Sequence, residues 1–322
     1  MQKLISLAAG MLLAAAAWGA QAASWDMPTP YGEKNFHTVN ISKFAADVKA
    51  ATGGALNIKV HSGGSLFKHP EIKNAVRGGQ VPIGEFLLSR LSNESAVFGV
   101  DSVPFLAADY GSAAKLWSAS RSAVEKLLAK QGLKVLFAVP WPPQGLYAKR
   151  EINSVADLKN LKFRAYNAAT ERLAQLAGAV PTQIELANIA EAFATGGIHA
   201  VVTSSSTGVN HKFWDFLTHY YRTQAWLPKN IVVVNMKAFG RLDAKTKKAV
   251  MAAAKTAEAR GWKSSQAETS KMVAALKKNG IKVMDPSAKL KSDLQAIGKT
   301  MTMEWSKKAG AEGAAIIKAY RK

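Results

Sequence analysis

The chain carries at residues 158–178 the stretch LKNLKFRAYNAATERLAQLAG, which predicts a strand that passes directly into a helix. Positions 161–166 alternate between apolar and polar side chains, the period of two that is typical of a strand. Asn167 then offers a helix N-cap, and the apolar residues after it recur at helical spacing. Arg164 therefore lies at the end of a strand, where a cation is either solvated or held in place to bind something.

The same alternation of strand and helix patterns continues along the chain. Strand patterns are ALNIKVH (55–61), LKVLFAV (133–139), GIHAVVTS (197–204) and NIVVVNM (230–236), with helical patterns such as 36–51 and 116–130 between them. Alternating elements are typical of βα units, so the sequence predicts an α/β fold with parallel strands. After residue 236 the pattern is helical except at 281–285, which predicts a helical C-terminal region.

The first residues have the features of a secretory signal peptide. Lys3 precedes an apolar run over 4–17, and Ala20-Gln21-Ala22 forms a cleavage site of the A-x-A kind, so we expect residues 1–23 to be removed. The apolar run is shorter than the roughly 20 residues that a membrane span needs. The chain has no cysteine, which leaves no residue for a lipid anchor, a disulfide or a thiolate metal site. We therefore expect a protein that is free in the periplasm.

The chain of 322 residues has a formal charge of +21. A basic surface can bind nucleic acid, but an exported protein rarely meets any, and the excess charge is spread along helical patterns. The excess of basic residues can be explained by lysine-rich helix faces that are exposed to solvent. The functional alternative is a positive field that attracts anionic solutes. No nucleic-acid partner is expected.

The usual catalytic and cofactor motifs are absent from the sequence. We find no glycine-rich nucleotide loop, no H-E-x-x-H and no G-x-S-x-G, and the six histidines have no ligand-like spacing. The hydroxyls of TSSST (203–207) have no histidine or lysine base at a recognisable offset. The sequence therefore predicts neither a metal nor a cofactor, and a protein that is not an enzyme.

In open α/β sheets, ligands lie beyond the carboxyl ends of the strands. Polar or aromatic residues at predicted strand ends are candidates for a ligand site there: Tyr31, Phe67, Glu85, Ser89, Trp141, Gln144, Arg164, Thr203, Ser204 and Asn235. Arg164 is the permanent cation among them, and its planar guanidinium matches a carboxylate with two parallel hydrogen bonds.

Residues 146–208 resemble the DctP-type solute-binding proteins of tripartite ATP-independent periplasmic (TRAP) transporters. The family's basic-Ile, D-L-K-G-L-K-x-R and G-A-x-P elements correspond here to REI (150–152), DLKNLKFR (157–164) and GAVP (178–181). Its A-L-x-x-G-x-x-D-G segment corresponds to AFATGGIHA (192–200), where His199-Ala200 replaces the usual D-G. The resemblance extends over essentially the whole mature chain.

The resemblance implies a two-lobe periplasmic binding protein fold that closes on an organic acid. Lobe I is expected at 24–141 plus about 229–270, and lobe II at 142–228 plus about 271–322, with a hinge near the prolines at 140, 142 and 143. The last residue of D-L-K-G-L-K-x-R, here Arg164, is implied to bind the ligand carboxylate. The implied partners are a small organic-acid ligand and the membrane subunits of a TRAP transporter, and we expect a monomer.

Members of the family that bind sialic acid have a second arginine 20 residues before the first, and Gln144 stands at that position here. A glutamine cannot neutralise a second carboxylate, so we expect no second cation and a preference for monocarboxylates. Two other classes stay open at this point: a secreted hydrolase or lyase that uses Glu85 or the TSSST hydroxyls, and a scaffold that binds polyanions through its basic helices.

Overall fold

The computed structural model describes residues 23–322. The predicted signal peptide lies outside these residues, apart from Ala23. The strands are β1 (Ala23–Pro28), β2 (Leu56–His61), β3 (Ile83–Leu87), β4 (Leu133–Pro140), β5 (Gln144–Ala148), β6 (Lys162–Ala165), β7 (Val180–Gln183), β8 (Ala200–Ser204), β9 (His219–Tyr221), β10 (Lys229–Asn235) and β11 (Lys282–Met284). The helices are α1 (Phe36–Ala51), α2 (Ile72–Arg77), α3 (Tyr110–Ala129), α4 (Ala168–Leu176), α5 (Ile189–Ala194), α6 (Ser205–Asn210), α7 (Met236–Gly240), α8 (Ala244–Lys278) and α9 (Ala288–Arg321).

Residues 158–178 fold as predicted, as a strand followed by a helix. β6 ends at Ala165, and the side chain of Asn167 accepts a hydrogen bond from the Thr170 amide at 2.9 Å to begin α4. Arg164 lies one residue before the end of the strand, with its side chain buried. The N-cap therefore fixes the point at which the chain turns away from the sheet, immediately after the arginine.

The strands form one group in each lobe. In the first lobe β1 pairs with β2, and a second sheet has the order β3-β10-β4. In the second lobe six strands have the order β11-β9-β5-β8-β6-β7. The chain passes from β4 to β5 through 141–143 and returns to β10 through 222–228. It crosses again through the long helices α8 and α9, because β11 between them belongs to the sheet of the second lobe.

The expectation of parallel strands is wrong for two of them. β6 runs parallel to both β7 and β8, but β5 runs antiparallel to β8 and β9, and β10 runs antiparallel to β3 and β4. β5 and β10 are the first strands after the passages through 141–143 and 222–228. Lys229 of β10 is opposite Pro140 of β4, so the returning chain enters the sheet where β4 leaves it and must run the opposite way.

The long C-terminal helices contact both lobes. Leu290, Leu294 and Met301 of α9 pack in the core of the second lobe, whereas Trp305 and Ile316 pack in the core of the first. Residues after about 304 thus lie against lobe I, which differs from the expected assignment of 271–322 to lobe II. We propose that the lobe boundaries lie near residues 141 and 228. Within residues 23–322, no helix combines the length and apolarity needed to cross a membrane.

Candidate functional site

A cavity lies between the two lobes and has a volume of about 440 Å³, including its open mouth. Five of the ten residues predicted from strand ends line it: Tyr31, Trp141, Gln144, Arg164 and Thr203. Eight other residues, not predicted from the sequence, also line it: His69, Leu87, Arg90, Tyr166, Glu185, Leu186, Thr207 and Pro228. Both lobes contribute to the wall, so a molecule in this cavity would contact both.

Arg164 is a buried cation that is anchored at one end. Only 4% of the residue is exposed, and its Nε donates a hydrogen bond to the carbonyl oxygen of Ile184 at 3.0 Å. The guanidinium also lies 5.1 Å from the centre of the Tyr166 ring. Among residues 23–322, no protein group accepts a hydrogen bond from its two terminal nitrogens. Anchoring at Nε leaves this two-nitrogen edge free for a planar anion.

Burial lowers the pKa of Arg164 to about 10, an effect that the neighbouring Tyr166 and Glu185 partly oppose. The guanidinium therefore remains charged at neutral pH. In the part of the chain that the structure describes, no carboxylate forms an ion pair with it. A buried charge without a counter-ion is costly, and binding an anion would remove that cost.

Arg90 is a second cation in the cavity, which corrects the expectation that none would be present. It follows β3 and donates to both carboxylate oxygens of Glu185, at 2.7 Å and 3.2 Å. It also donates to the carbonyl oxygen of Tyr166 at 3.3 Å. Arg90 is therefore neutralised by Glu185, whereas Arg164 has no ion-pair partner in the part of the chain that the structure describes.

Gln144 lines the cavity, but its amide is already bonded within the protein. Nε2 donates to the carbonyl oxygen of Pro142 at 2.8 Å, and Oε1 accepts from the Tyr166 hydroxyl at 3.2 Å. Gln144 thus holds the Tyr166 ring, which in turn lies under the Arg164 guanidinium. Because its side-chain amide is bonded to Pro142 and Tyr166, Gln144 stabilises the cavity wall.

His69 lines the cavity with a ring that is hydrogen-bonded to the backbone on one side. Its Nε2 accepts from the Leu87 amide at 3.1 Å, and burial together with Arg90 and Arg164 lowers its pKa well below the usual range. The ring is therefore neutral at neutral pH. Because Nε2 accepts, the proton of the neutral ring is on Nδ1. That N–H can donate to a carbonyl or hydroxyl oxygen.

The aromatic wall is formed by Tyr31 and Trp141, whose rings meet edge to face with centres 5.0 Å apart. The Tyr31 hydroxyl and the Trp141 Nε1 both donate to Oδ1 of Asn230, at 3.0 Å and 2.9 Å. Since their polar ends are occupied by the same side chain, these residues present carbon surface to the cavity.

Three predicted residues lie away from the cavity in lobe I. Phe67 packs against the first lobe's core. Glu85 points into that lobe, where it accepts a hydrogen bond from Thr29 at 2.7 Å and lies 3.6 Å from His37. Burial raises the pKa of Glu85 to about 7. Ser89 accepts from the Asn167 amide nitrogen at 2.8 Å and lines a different cavity.

Two more predicted residues are helix caps. The Ser204 hydroxyl accepts from the Thr207 amide at 3.1 Å at the start of α6. Asn235 accepts from the amides of Lys237 and Ala238 at the start of α7. These two strand ends have a polar residue because a helix begins there. Ser204 and Asn235, like the three residues described above, therefore do not line the cavity.

The cavity contains no recognisable metal-binding group. Within residues 23–322, no cluster of three or more histidine, aspartate or glutamate side chains could hold a metal ion.

Comparison with known families gives a match to most of the chain. The family described as bacterial extracellular solute-binding protein, family 7 (DctP) matches residues 31–308. A solute-binding protein of Albidiferax ferrireducens is 23% identical over 261 residues, which cover 79% of this chain and 77% of that protein.

Two solved structures are similar over nearly their whole length. DctP6 of Bordetella pertussis, an extracytoplasmic solute receptor that binds pyroglutamic acid, is 46% identical, with a TM-score of 0.92 and coverage of 93% of this chain and 99% of that one. A TRAP solute-binding protein from a marine metagenome, specific for pyroglutamate, is 42% identical, with a TM-score of 0.92 and coverage of 94% and 99%.

Proposed function

We propose that this chain, which belongs to bacterial extracellular solute-binding protein family 7, is a receptor for a small monocarboxylate, with pyroglutamate as its ligand. The observation that carries the proposal is Arg164, a buried guanidinium with a free edge and no counter-ion among residues 23–322. Two structures with more than 40% identity belong to proteins that bind pyroglutamate, which supports the choice of ligand.

The chemistry of pyroglutamate fits the groups around the cavity. Its single carboxylate can accept two parallel hydrogen bonds from the terminal nitrogens of Arg164. Its lactam carbonyl needs a donor, which the Nδ1–H of His69 supplies, and its ring needs carbon surface, which Tyr31 and Trp141 supply. The lactam N–H needs an acceptor, and the Thr203 hydroxyl in the wall is one candidate.

Binding would proceed by closure of the two lobes about the segments that link them. Closure removes water from the ligand carboxylate and from Arg164 together, so each charge then depends on the other. The receptor would act outside the cytoplasm as a monomer and deliver its ligand to the membrane subunits of a TRAP transporter. We infer that the protein has no catalytic activity, needs no metal or cofactor and binds no nucleic acid.

The proposal is tested with protein that has been exported by a bacterial host and purified with any ligand that it carries. Denaturation of this protein should release unchanged pyroglutamate, which mass spectrometry detects. Calorimetry of the ligand-free protein should show one binding site for pyroglutamate. A ligand at about 100 times its Kd should stabilise the protein by roughly 2.7 kcal/mol, and EDTA should not reduce that effect. Absence of pyroglutamate binding would refute the choice of pyroglutamate as the ligand. Recovery of a chemically altered ligand would refute the proposal that the protein is a receptor without catalytic activity.

A further inference from the structure

Arg90 and Glu185 form an ion pair that joins the two lobes across the ligand cavity. Arg90 belongs to the first lobe and Glu185 to the second, and both line the cavity wall. Their contact is bidentate, with Nη2–Oε1 at 2.7 Å and Nη1–Oε2 at 3.2 Å. The two side chains are 17% and 33% exposed, so the pair is partly shielded from solvent.

The charges around the cavity can be counted from these contacts. The charged side chains in the wall are Arg164, Arg90 and Glu185, and His69 is neutral at neutral pH. Two cations and one anion leave one positive charge, which belongs to Arg164 because Arg90 is paired. The wall thus carries the charge that matches one carboxylate.

We propose that Glu185 makes the receptor selective for monoanions by occupying the guanidinium edge of Arg90 that a second ligand carboxylate would otherwise bind. This inference rests on the proposed function, in which Arg164 holds the first carboxylate. A dianion held there would have to displace Glu185 from Arg90 or place a negative charge close to it. Both cost binding energy, the first by breaking a charged pair and the second by repulsion.

The side chain of Glu185 makes the contacts of an ion pair and not those of a helix cap. It precedes the short turn Leu186–Asn188 and makes no hydrogen bond that caps it. Its hydrogen-bond partner among residues 23–322 is Arg90 alone. A glutamine has the same size and keeps an acceptor for Arg90, so it changes the charge with little change in shape.

The pair also stabilises the closed arrangement of the lobes, since it forms across the cleft. Weakening it should therefore reduce the affinity for every ligand by a common factor. The ratio of the affinities for a dianion and a monoanion cancels this factor and reports selectivity alone. Glutarate is a suitable dianion because it has the five carbons of pyroglutamate and a carboxylate in place of the lactam.

The test compares wild type, Glu185→Gln, Arg90→Gln and the double variant by calorimetry with pyroglutamate and glutarate. Glu185→Gln should raise the ratio of glutarate to pyroglutamate affinity by about tenfold or more, because it exposes an unpaired cation. The double variant has the net wall charge of wild type, so its ratio should return to within about threefold of the wild-type value.

Arg90→Gln provides an independent readout, because it leaves Glu185 without a cation near the ligand. Pyroglutamate affinity should fall, and adding Glu185→Gln should restore it by about tenfold, which loss of the inter-lobe pair alone cannot do. An unchanged ratio in Glu185→Gln, or no rescue in the double variant, would overturn the inference. Failure of wild type to bind pyroglutamate would instead contradict the proposed function.

Discussion

Replacement of Arg164 by methionine separates a ligand-binding arginine from a structural one. Methionine fills most of the same volume without charge or hydrogen-bond donors. If Arg164 serves the ligand, its removal should abolish binding and leave the ligand-free protein as stable as before. If it serves the fold, its removal should destabilise the protein, as loss of a buried paired charge does.

The magnitude of the stability change follows from the contacts of Arg164. Burial lowers its pKa from 12.5 to about 10, which corresponds to a cost of roughly 3 kcal/mol for keeping the guanidinium charged in the folded protein. Methionine removes this cost but leaves the Ile184 carbonyl oxygen without its donor, a loss of about 1–3 kcal/mol. The two effects nearly cancel, so the free energy of unfolding should stay within about 2 kcal/mol of wild type, with the balance toward stabilisation.

The loss of binding should be far larger. Two charge-assisted hydrogen bonds at roughly 1.5–3 kcal/mol each predict a fall in pyroglutamate affinity of at least a hundredfold. Arg164→Lys keeps the charge but not the two-nitrogen edge and should lose about tenfold or more. Arg150→Met is the matched control, since Arg150 is an exposed arginine that donates to the carbonyl oxygen of Asp157, and it should bind normally.

Calorimetry measures the affinities, and urea unfolding of the ligand-free proteins measures the stabilities. Binding by Arg164→Met within threefold of wild type would refute the assignment of Arg164 to the carboxylate. A loss of more than about 3 kcal/mol in the ligand-free variant would show that the arginine maintains the fold.

Two further predictions concern residues away from the ligand. Glu85 has a pKa raised by burial to about 7, so the folded state holds its proton more tightly than the unfolded state, and stability should fall as pH rises from about 4.5 to 7 by roughly 3 kcal/mol. Glu85→Gln should remove that slope in urea unfolding measured from pH 5 to 8, and an identical slope in both proteins would contradict the assignment. A Cβ at Gly145 would lie 2.2 Å from Tyr220 and 2.6 Å from the carbonyl oxygen of Tyr221. Gly145→Ala should therefore cost about 1–3 kcal/mol in urea unfolding, whereas Gly32→Ala, where a Cβ meets nothing within 4 Å, should change stability by less than about 0.5 kcal/mol; equal effects would refute the steric argument.

Much of the fold could be predicted because its elements carry local signals. Helix 36–51 and the strand and helix of 158–178 form as predicted, since periodicity and an N-cap depend only on neighbours in sequence. The family resemblance, read from the block that ends at Arg164, is confirmed by the match over residues 31–308. The direction of a strand in the sheet could not be predicted from neighbouring residues, because β5 and β10 take their direction from the path of the chain between the lobes.

β5 was missed for a related reason. The prolines at 140, 142 and 143 predicted a hinge and no strand, but a strand begins at Gln144, immediately after them, and pairs with β8 and β9. Proline lacks an amide donor and cannot join the ladder, yet it does not prevent a strand from starting at the next residues. The prolines therefore mark a boundary between elements.

The cavity was only half visible in the sequence. Arg90 and Glu185 are 95 residues apart and belong to different lobes, so no local pattern pairs them. The prediction that no second cation would be present was based on Gln144, the position at which some relatives have an arginine. Gln144 belongs to the second lobe, whereas Arg90 lines the same cavity from the first lobe. A basic residue just after a predicted strand end, as in FLLSR (86–90), was the signal that could have found it.

Of three polar residues at predicted strand ends, Arg164 lines the cavity and Ser204 and Asn235 do not, and the charges of the side chains explain the difference. The N-terminus of a helix exposes amide groups and a partial positive charge, so a hydroxyl or amide oxygen at the junction is satisfied there. Ser204 and Asn235 cap α6 and α7 in this way. A guanidinium has no acceptor and is repelled by the same amides, so a helix start gives it no stabilisation. A cation at a strand-to-helix junction therefore needs a different partner. Among residues 23–322, Arg164 contacts the Ile184 carbonyl oxygen and the Tyr166 ring, and the anion that we propose as its counter-ion is the ligand.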